Sequence, residues 1–349
     1  MTTMLTRVSL AAMLVAGAAF SARAEIVWTT YNTGSGLGDN SLYGVYATGS
    51  TIYAATNGGG LSISTNSGAN WTNYTTGSGL GNNIVRGVYA AGSTIYAATT
   101  GGLSISNNNG STWTNYTTGN GLADNYVFGV YAAGSTIYAG TIGGLSISTN
   151  NGSNWTKYTT SNGLGDNFVY GVYAAGSTIY AATQGGMSIS TNNGASWTNY
   201  TTANGLGSNV VLGGVSVSGS AIYAATNSGL SISTNGGSTW TNYTTSSGLG
   251  SNIVRGIYAD GSMIYAGTDG GLSISPNNGT SWTTYTTGSG LASNFTRGVY
   301  AQGSTIYAAT NGGGLSVGIQ AVPEPSTYTM ALAGLACGGY SMWRRRTRT

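Results

Sequence analysis

The chain has no histidine at all, and its only cysteine, Cys337, lies in the C-terminal tail. The first absence excludes Ser-His-Asp triads, Cys-His pairs and histidine-held metal centres. The second excludes an internal disulfide and leaves the redox compartment unreadable from cysteines. Charge is equally scarce, at 5% of the 349 residues, and six of the ten basic side chains sit at the two ends (Arg7, Arg23, Arg344, Arg345, Arg346, Arg348). Between the ends, Arg86, Lys157, Arg255 and Arg297 face Glu25, Asp39, Asp124, Asp166, Asp260 and Asp269, so the body has no basic footprint for nucleic acid. No dense aspartate motif suggests calcium, and neither a metal nor a cofactor is expected.

What is abundant is glycine, 60 residues of it, set among Thr, Ser, Asn, Ala and regularly placed Ile, Val, Tyr and Trp. Tryptophan recurs at 28, 71, 113, 155, 197, 240 and 282, with steps of 43, 42, 42, 42, 43 and 42 residues. So regular a period indicates one structural unit used repeatedly around a shared core. The unit over 163–202 holds four strand-like runs, FVYGVYA, STIYAAT, MSIS and WTNYTT, separated by Ala175-Gly176, Gly185-Gly186 and Asn193-Gly194. Gly and Asn tolerate the positive φ of tight hairpins, so each unit reads as a small antiparallel sheet. No helix-period pattern interrupts it.

The ends of the repeat choose between an open stack and a closed ring. After residue 25 the chain begins with only a fourth strand, Trp28 to Tyr31, whereas the last repeat supplies three and stops near Gly318. First strands begin near Leu42, Val85, Val127, Val169, Val211, Val254 and Thr296. Pairing the N-terminal strand with the C-terminal repeat completes the last sheet and covers its edge. The expected fold is all-β: a seven-bladed β-propeller of four-stranded antiparallel blades over 25–320, with three-plus-one strand closure. An extra Gly at 56–61 predicts a longer loop in blade one, and the extra residue in Leu212-Gly213-Gly214-Val215 predicts a β-bulge in blade five.

Six turns follow S-x-N-x-G-x-x-W, from Ser64–Trp71 to Ser275–Trp282, and the missing seventh falls where the ring closes. The Asn side chain fixes the turn, Gly permits the reversal and Trp covers it. These turns resemble the Asp-box, or BNR repeat, of sialidases and other propellers, with Asn at 66, 108, 150, 192, 235 and 277 where Asp is usual. The runs GLGDNFVYGVY, IYAAT and GGMSIS also resemble propeller repeats in the sensor halves of two-component regulators. Both resemblances imply a propeller, and the Asp-box implies a structural turn.

Candidate ligand-binding residues lie on the innermost strand. Arg86, Arg255 and Arg297 occupy equivalent positions in blades two, six and seven, where the other blades carry Tyr43, Phe128, Tyr170 and Leu212. An arginine cluster facing an anionic ligand is one reading, with Tyr43 and Tyr170 adding aromatic surface. Arginine stems stacked among aromatic neighbours are the other. Asp39, Asp124 and Asp166 precede Asn in loops where other blades carry Asn82, Ser208, Ser251 and Ser293, which is ordinary turn chemistry. Asn-x-Thr triplets such as Asn73-Tyr74-Thr75 match a glycosylation acceptor but follow from composition. Tyr46, Tyr89, Tyr131 and their repeats are expected to fill blade interfaces.

The ends read as addresses. Residues 1–24 have a polar start with Arg7, the apolar run VSLAAMLVAGAAF and Ala22-Arg23-Ala24, the pattern of a secretory signal peptide cut by signal peptidase between Ala24 and Glu25. Residues 321–349 combine Val322-Pro323-Glu324-Pro325-Ser326, an apolar segment over 327–343 and an Arg cluster, which is the pattern of a membrane-spanning helix with a cytoplasmic basic end. The three parts in order resemble the PEP-CTERM sorting signal of Gram-negative bacteria. That resemblance implies export across the inner membrane, transient anchoring by the C-terminal helix, processing by an exosortase, and delivery to the cell surface or medium in connection with exopolysaccharide or biofilm. The sequence is thus read as a monomeric, non-catalytic surface or matrix module whose seven similar blades bind exopolysaccharide or a surface glycan multivalently. The alternative is a degenerate Asp-box glycosidase acting on an anionic sugar, which requires the arginines to converge on one pocket near an acid.

Overall fold

Blade four shows how the repeat becomes a sheet. Its strands are Val169–Ala175, Thr178–Thr183, Gly186–Ser190 and Thr198–Tyr200, paired antiparallel in sequence order. The first hairpin turns at Gly176 with φ +58°, and the third turns through Asn193 at φ 55°. Across residues 26–320, which the computed structural model describes, the pattern gives seven four-stranded sheets. The signal peptide, its Ala24/Glu25 cleavage point, Cys337 and the C-terminal apolar segment lie outside the described residues.

The middle strands read as unbroken buried runs because each blade packs on both neighbours. The apolar cores accordingly lie between blades: Tyr53, Leu61 and Ile63 of blade one meet Leu80, Val85 and Ile95 of blade two. Buried serines in these runs are satisfied. Ser188 Oγ accepts from Gly165 N and donates to Asn199 Oδ1, and Asn199 Nδ2 donates to the Gly163 carbonyl. Asn73 is held by the same relay, through Ser62 and the Gly36 carbonyl, so its carboxamide is committed to the fold.

Closure follows the expected scheme. Strand Ile26–Tyr31 pairs with Gly314–Gln320, the third strand of blade seven, whose other strands are Thr305–Thr310 and Thr296–Gln302. The seam is packed like any other, with Leu37, Leu42 and Ile52 of blade one against Tyr307, Ala309 and Leu315.

Three features differ from the sequence expectation. The register shift expected in blade five occurs instead in the other six inner strands, as between Val169 and Gly171. In blade five the added residue shortens the inner strand to Val215–Ser218, because Gly213 and Gly214 bond Ala225 outside a regular ladder. The longer loop of blade one recurs in blade seven, where Thr310 Oγ1 reaches the Gly314 carbonyl as Thr56 Oγ1 reaches Gly60. Each connection between blades also contains a single 3-10 turn, such as Thr160–Ser161–Asn162, closed by Asn162 Oδ1 accepting from Thr159 N.

Candidate functional site at the mouth of the channel

The repeats vary chiefly at three positions per blade, and the fold brings the three together. The first is the residue after the loop Asn: Ser41, Ile84, Tyr126, Phe168, Val210, Ile253 and Phe295. The second, two residues on, is Tyr43, Arg86, Phe128, Tyr170, Leu212, Arg255 and Arg297; the third opens the next loop: Asn57, Thr100, Ile142, Gln184, Asn227, Asp269 and Asn311. A backbone bond ties third to first within a blade, as from Ile142 N to the Tyr126 carbonyl (3.3 Å) and from Asp269 N to the Ile253 carbonyl (3.3 Å). The loop acids set this geometry, since Asp124 Oδ1 accepts from Tyr126 N (2.8 Å) and Asp166 Oδ1 from Phe168 N (2.7 Å). Asn82 and Ser208 do the same in other blades.

The second positions line a cavity of about 420 Å³ in the channel, and all five sequence-selected residues, Tyr43, Arg86, Tyr170, Arg255 and Arg297, are on its wall. Its floor narrows at a ring of glycines. A Cβ on Gly129 would lie 2.9 Å from the Tyr170 carbonyl oxygen, and one on Gly256 would lie 2.7 Å from that of Arg297, so only glycine lets neighbouring inner strands approach this closely. Beyond the glycines lies a girdle of tyrosines, with Tyr46 4.9 Å from Tyr300 and 5.2 Å from Tyr89, interrupted at Ser216, which instead accepts from Ala259 N. Burial and then the neighbouring tyrosines push Tyr46, Tyr131 and Tyr300 up to about 12 from 10.0.

The mouth has two unlike walls. On one, the Arg86 and Arg297 guanidiniums lie over the same Tyr43 ring, 4.1 and 4.5 Å from its centroid. Arg255 lies 4.6 Å from the Phe295 centroid and grips Asp269 with both Nε and Nη2, the latter at 2.9 Å from Oδ2. On the other wall, Phe128 is 4.8 Å from Tyr126, 5.0 Å from Phe168 and 5.3 Å from Tyr170, beside the 37% exposed Ile142. Arg86 joins the two walls by donating to the Tyr126 hydroxyl.

Electrostatically the mouth is unfinished. Asp269 cancels one of three positive charges and leaves Arg86 and Arg297 uncompensated. Arg86 Nε and Arg297 Nη1 are buried without a hydrogen-bond partner. Burial lowers the Arg297 pKa below the ordinary guanidinium value; nearby Tyr43 opposes this, and Arg255 and Arg86 lower it further. The lining supplies no carboxylate, and no group of three side chains able to hold a metal occurs among the described residues.

Sequence reasoning placed the arginines and missed Tyr126, Phe168, Phe295 and Asp269. Their signal was the position itself, an irregularity recurring after each loop Asn and at each following loop.

This architecture defines the protein as a seven-bladed β-propeller with an asymmetric channel mouth. Residues 321–346 match the PEP-CTERM protein-sorting motif, so it is a PEP-CTERM-sorted propeller protein, and the motif implies processing by an exosortase and export to the cell surface. Residues 123–252 match the DUF6242 beta propeller domain. No curated protein matches the chain. Among solved structures it is similar to the extracellular domain of a hybrid two component system from B. thetaiotaomicron, with 18% identity, a TM-score of 0.70, and coverage of 85% of this chain and 42% of that one. It thus spans less than half of that chain's length. An ancestral GH74 enzyme (21% identity, TM-score 0.61, 82% and 45% covered) and YCF48 bound to D1 peptide (13%, 0.63, 84% and 97%) share the fold.

Proposed function

We propose that the propeller is a non-catalytic binding module of the cell surface or extracellular matrix, and that it engages exopolysaccharide or a surface glycan at the channel mouth. The convergence of Arg86, Arg255 and Arg297 with three aromatic rings, Tyr43, Phe128 and Tyr170, in one cavity carries this reading. Three of the four basic side chains between residues 26 and 320 meet there, though they are up to 211 positions apart in sequence. One asymmetric site per propeller, rather than seven equivalent loops, follows from the loops being committed to their own hydrogen bonds. A glycan array probed with the full chain tests it: a set of bound glycans lost on Arg86→Gln/Arg297→Gln substitution is expected, and no bound glycan over a range of salt refutes it.

The same convergence supports a second reading, a glycosidase acting on an anionic sugar. Such an enzyme needs a paired acid and nucleophile. The wall offers Tyr43 and Tyr170, and the nearest acid to an arginine there, Asp269, is engaged by Arg255. Release of reducing sugar from any array glycan by the full chain, abolished by Asp269→Asn, is the result that favours the enzyme.

A further inference from the structure

The chemistry of the mouth is specific enough to name a ligand class. Its charge is concentrated and not extended: beyond the cavity, Lys157 is the one other basic side chain among the described residues, and Asp39, Asp124 and Asp166 sit in the loops between blades. Gripping a polyanion along its whole length needs a basic track, which these residues do not provide. What they provide is one basic contact point for an acidic group. Arg86 and Arg297 both lie over Tyr43, and Arg86 spends one Nη2 bond on the Tyr126 hydroxyl, so it is their remaining N–H groups that can meet the planar fork of a carboxylate. Arg86 Nε and Arg297 Nη1 are buried donors without an acceptor, so neither guanidinium has all of its hydrogen bonds satisfied within the fold. Across the mouth, Phe128 and Tyr170 line the cavity with apolar ring surface, and Phe168 packs against both. A ligand matching both walls has a carboxylate on one edge and an apolar face of ring size, and the cavity of about 420 Å³ lies in the range of small-ligand pockets.

We propose that the mouth takes a uronate unit of an acidic polysaccharide, its carboxylate received by Arg86 and Arg297 and its pyranose face laid against the wall of Phe128 and Tyr170. The assignment rests on the glycan-binding reading above and narrows it. Asp269 then has a defined part: by neutralising Arg255 it keeps the site matched to a single carboxylate.

Calorimetric titration of the full chain with trigalacturonate, with the same trimer carboxyl-reduced to a neutral sugar, and with inorganic sulfate tests it. Trigalacturonate is expected to bind and the reduced trimer to bind about a hundredfold more weakly, the size of two lost charged hydrogen bonds. Arg86→Gln and Arg297→Gln are expected to reduce trigalacturonate affinity about tenfold each while leaving the reduced trimer unaffected. Phe128→Ala is expected to weaken both trimers. Arg297→Lys, which keeps the charge and the cation–π contact but loses the fork, is expected to lose affinity with an unchanged melting temperature, separating recognition from folding. Equal affinity for the two trimers overturns the uronate assignment and leaves glycan binding standing. Displacement of trigalacturonate by millimolar sulfate overturns the carboxylate fork in favour of a general anion site. No binding of either trimer overturns the uronate assignment, and if the chain is also not retained on isolated exopolysaccharide, the glycan-binding reading fails with it.

Discussion

At the scale of single residues, the repeated Trp is a fastener between blades and not a ligand platform. Trp197 meets Tyr158 of the preceding blade edge to face at 6.0 Å, and the same pair recurs from Tyr31–Trp71 to Tyr243–Trp282. Each indole Nε1 is buried without an acceptor, so the contribution of the ring is area and aromatic contact. Trp197→Phe is therefore expected to destabilise by less than about 1 kcal/mol, and Trp197→Ala by about 2–3 kcal/mol, since the ring is only half-buried. Denaturant unfolding monitored by circular dichroism distinguishes the two; equal losses would show that the indole nitrogen matters. The arginines were legible in sequence because they break a repeat. Their aromatic partners were not, because Arg86 and Tyr126 belong to adjacent blades and lie 40 positions apart.

At the scale of elements, the turn with Asn in place of Asp keeps its whole bonding pattern. Asn192 Oδ1 accepts from Ser190 Oγ (2.9 Å) and from Ser196 N (2.9 Å), while Nδ2 donates to Ser196 Oγ (2.9 Å). The bond that fixes the backbone, from Ser196 N, falls on the oxygen, which Asp also has. Asn192→Asp is thus expected to shift stability by less than about 0.5 kcal/mol, and Asn192→Ala to cost about 1–2 kcal/mol, in the same unfolding experiment. The strand and turn sequence of each blade was readable from Gly and Asn positions. The inner-strand register was not, because the shift beside the second variable position depends on how the inner strands of neighbouring blades approach one another through their glycines. One inserted residue in blade five therefore removed ladder pairing where a bulge was expected.

At the scale of the whole molecule, closure and the tyrosine girdle make two predictions. Removing residues 26–31 takes the fourth strand from blade seven and exposes the edge of Gly314–Gln320, so a large fall in melting temperature and concentration-dependent aggregation are expected. An unchanged melting temperature would contradict the seam. Tyr46, Tyr131 and Tyr300 hold their protons to about pH 12 in the folded chain, against 10.0 for the free side chain. Between these values the unfolded chain carries fewer protons than the folded one, so stability present below pH 10 is lost as pH rises through 10–12. Tyrosinate absorbance rising together with loss of circular dichroism in that window is the expected result; full ionisation of a still-folded chain would contradict it. The propeller, its blade count and its seam could be read from the period and the unequal ends. The two-walled mouth could not, because it exists only when seven variable positions are brought around one axis.

The most direct test of that mouth is retention of the full chain on isolated exopolysaccharide, comparing the wild type with Arg86→Gln/Arg297→Gln and with Lys157→Gln, an exposed charge on an outer strand. Equal retention of wild type and Lys157→Gln with release of the double arginine variant is the expected outcome. Retention of all three alike would place binding elsewhere on the propeller and contradict the assignment of the channel mouth.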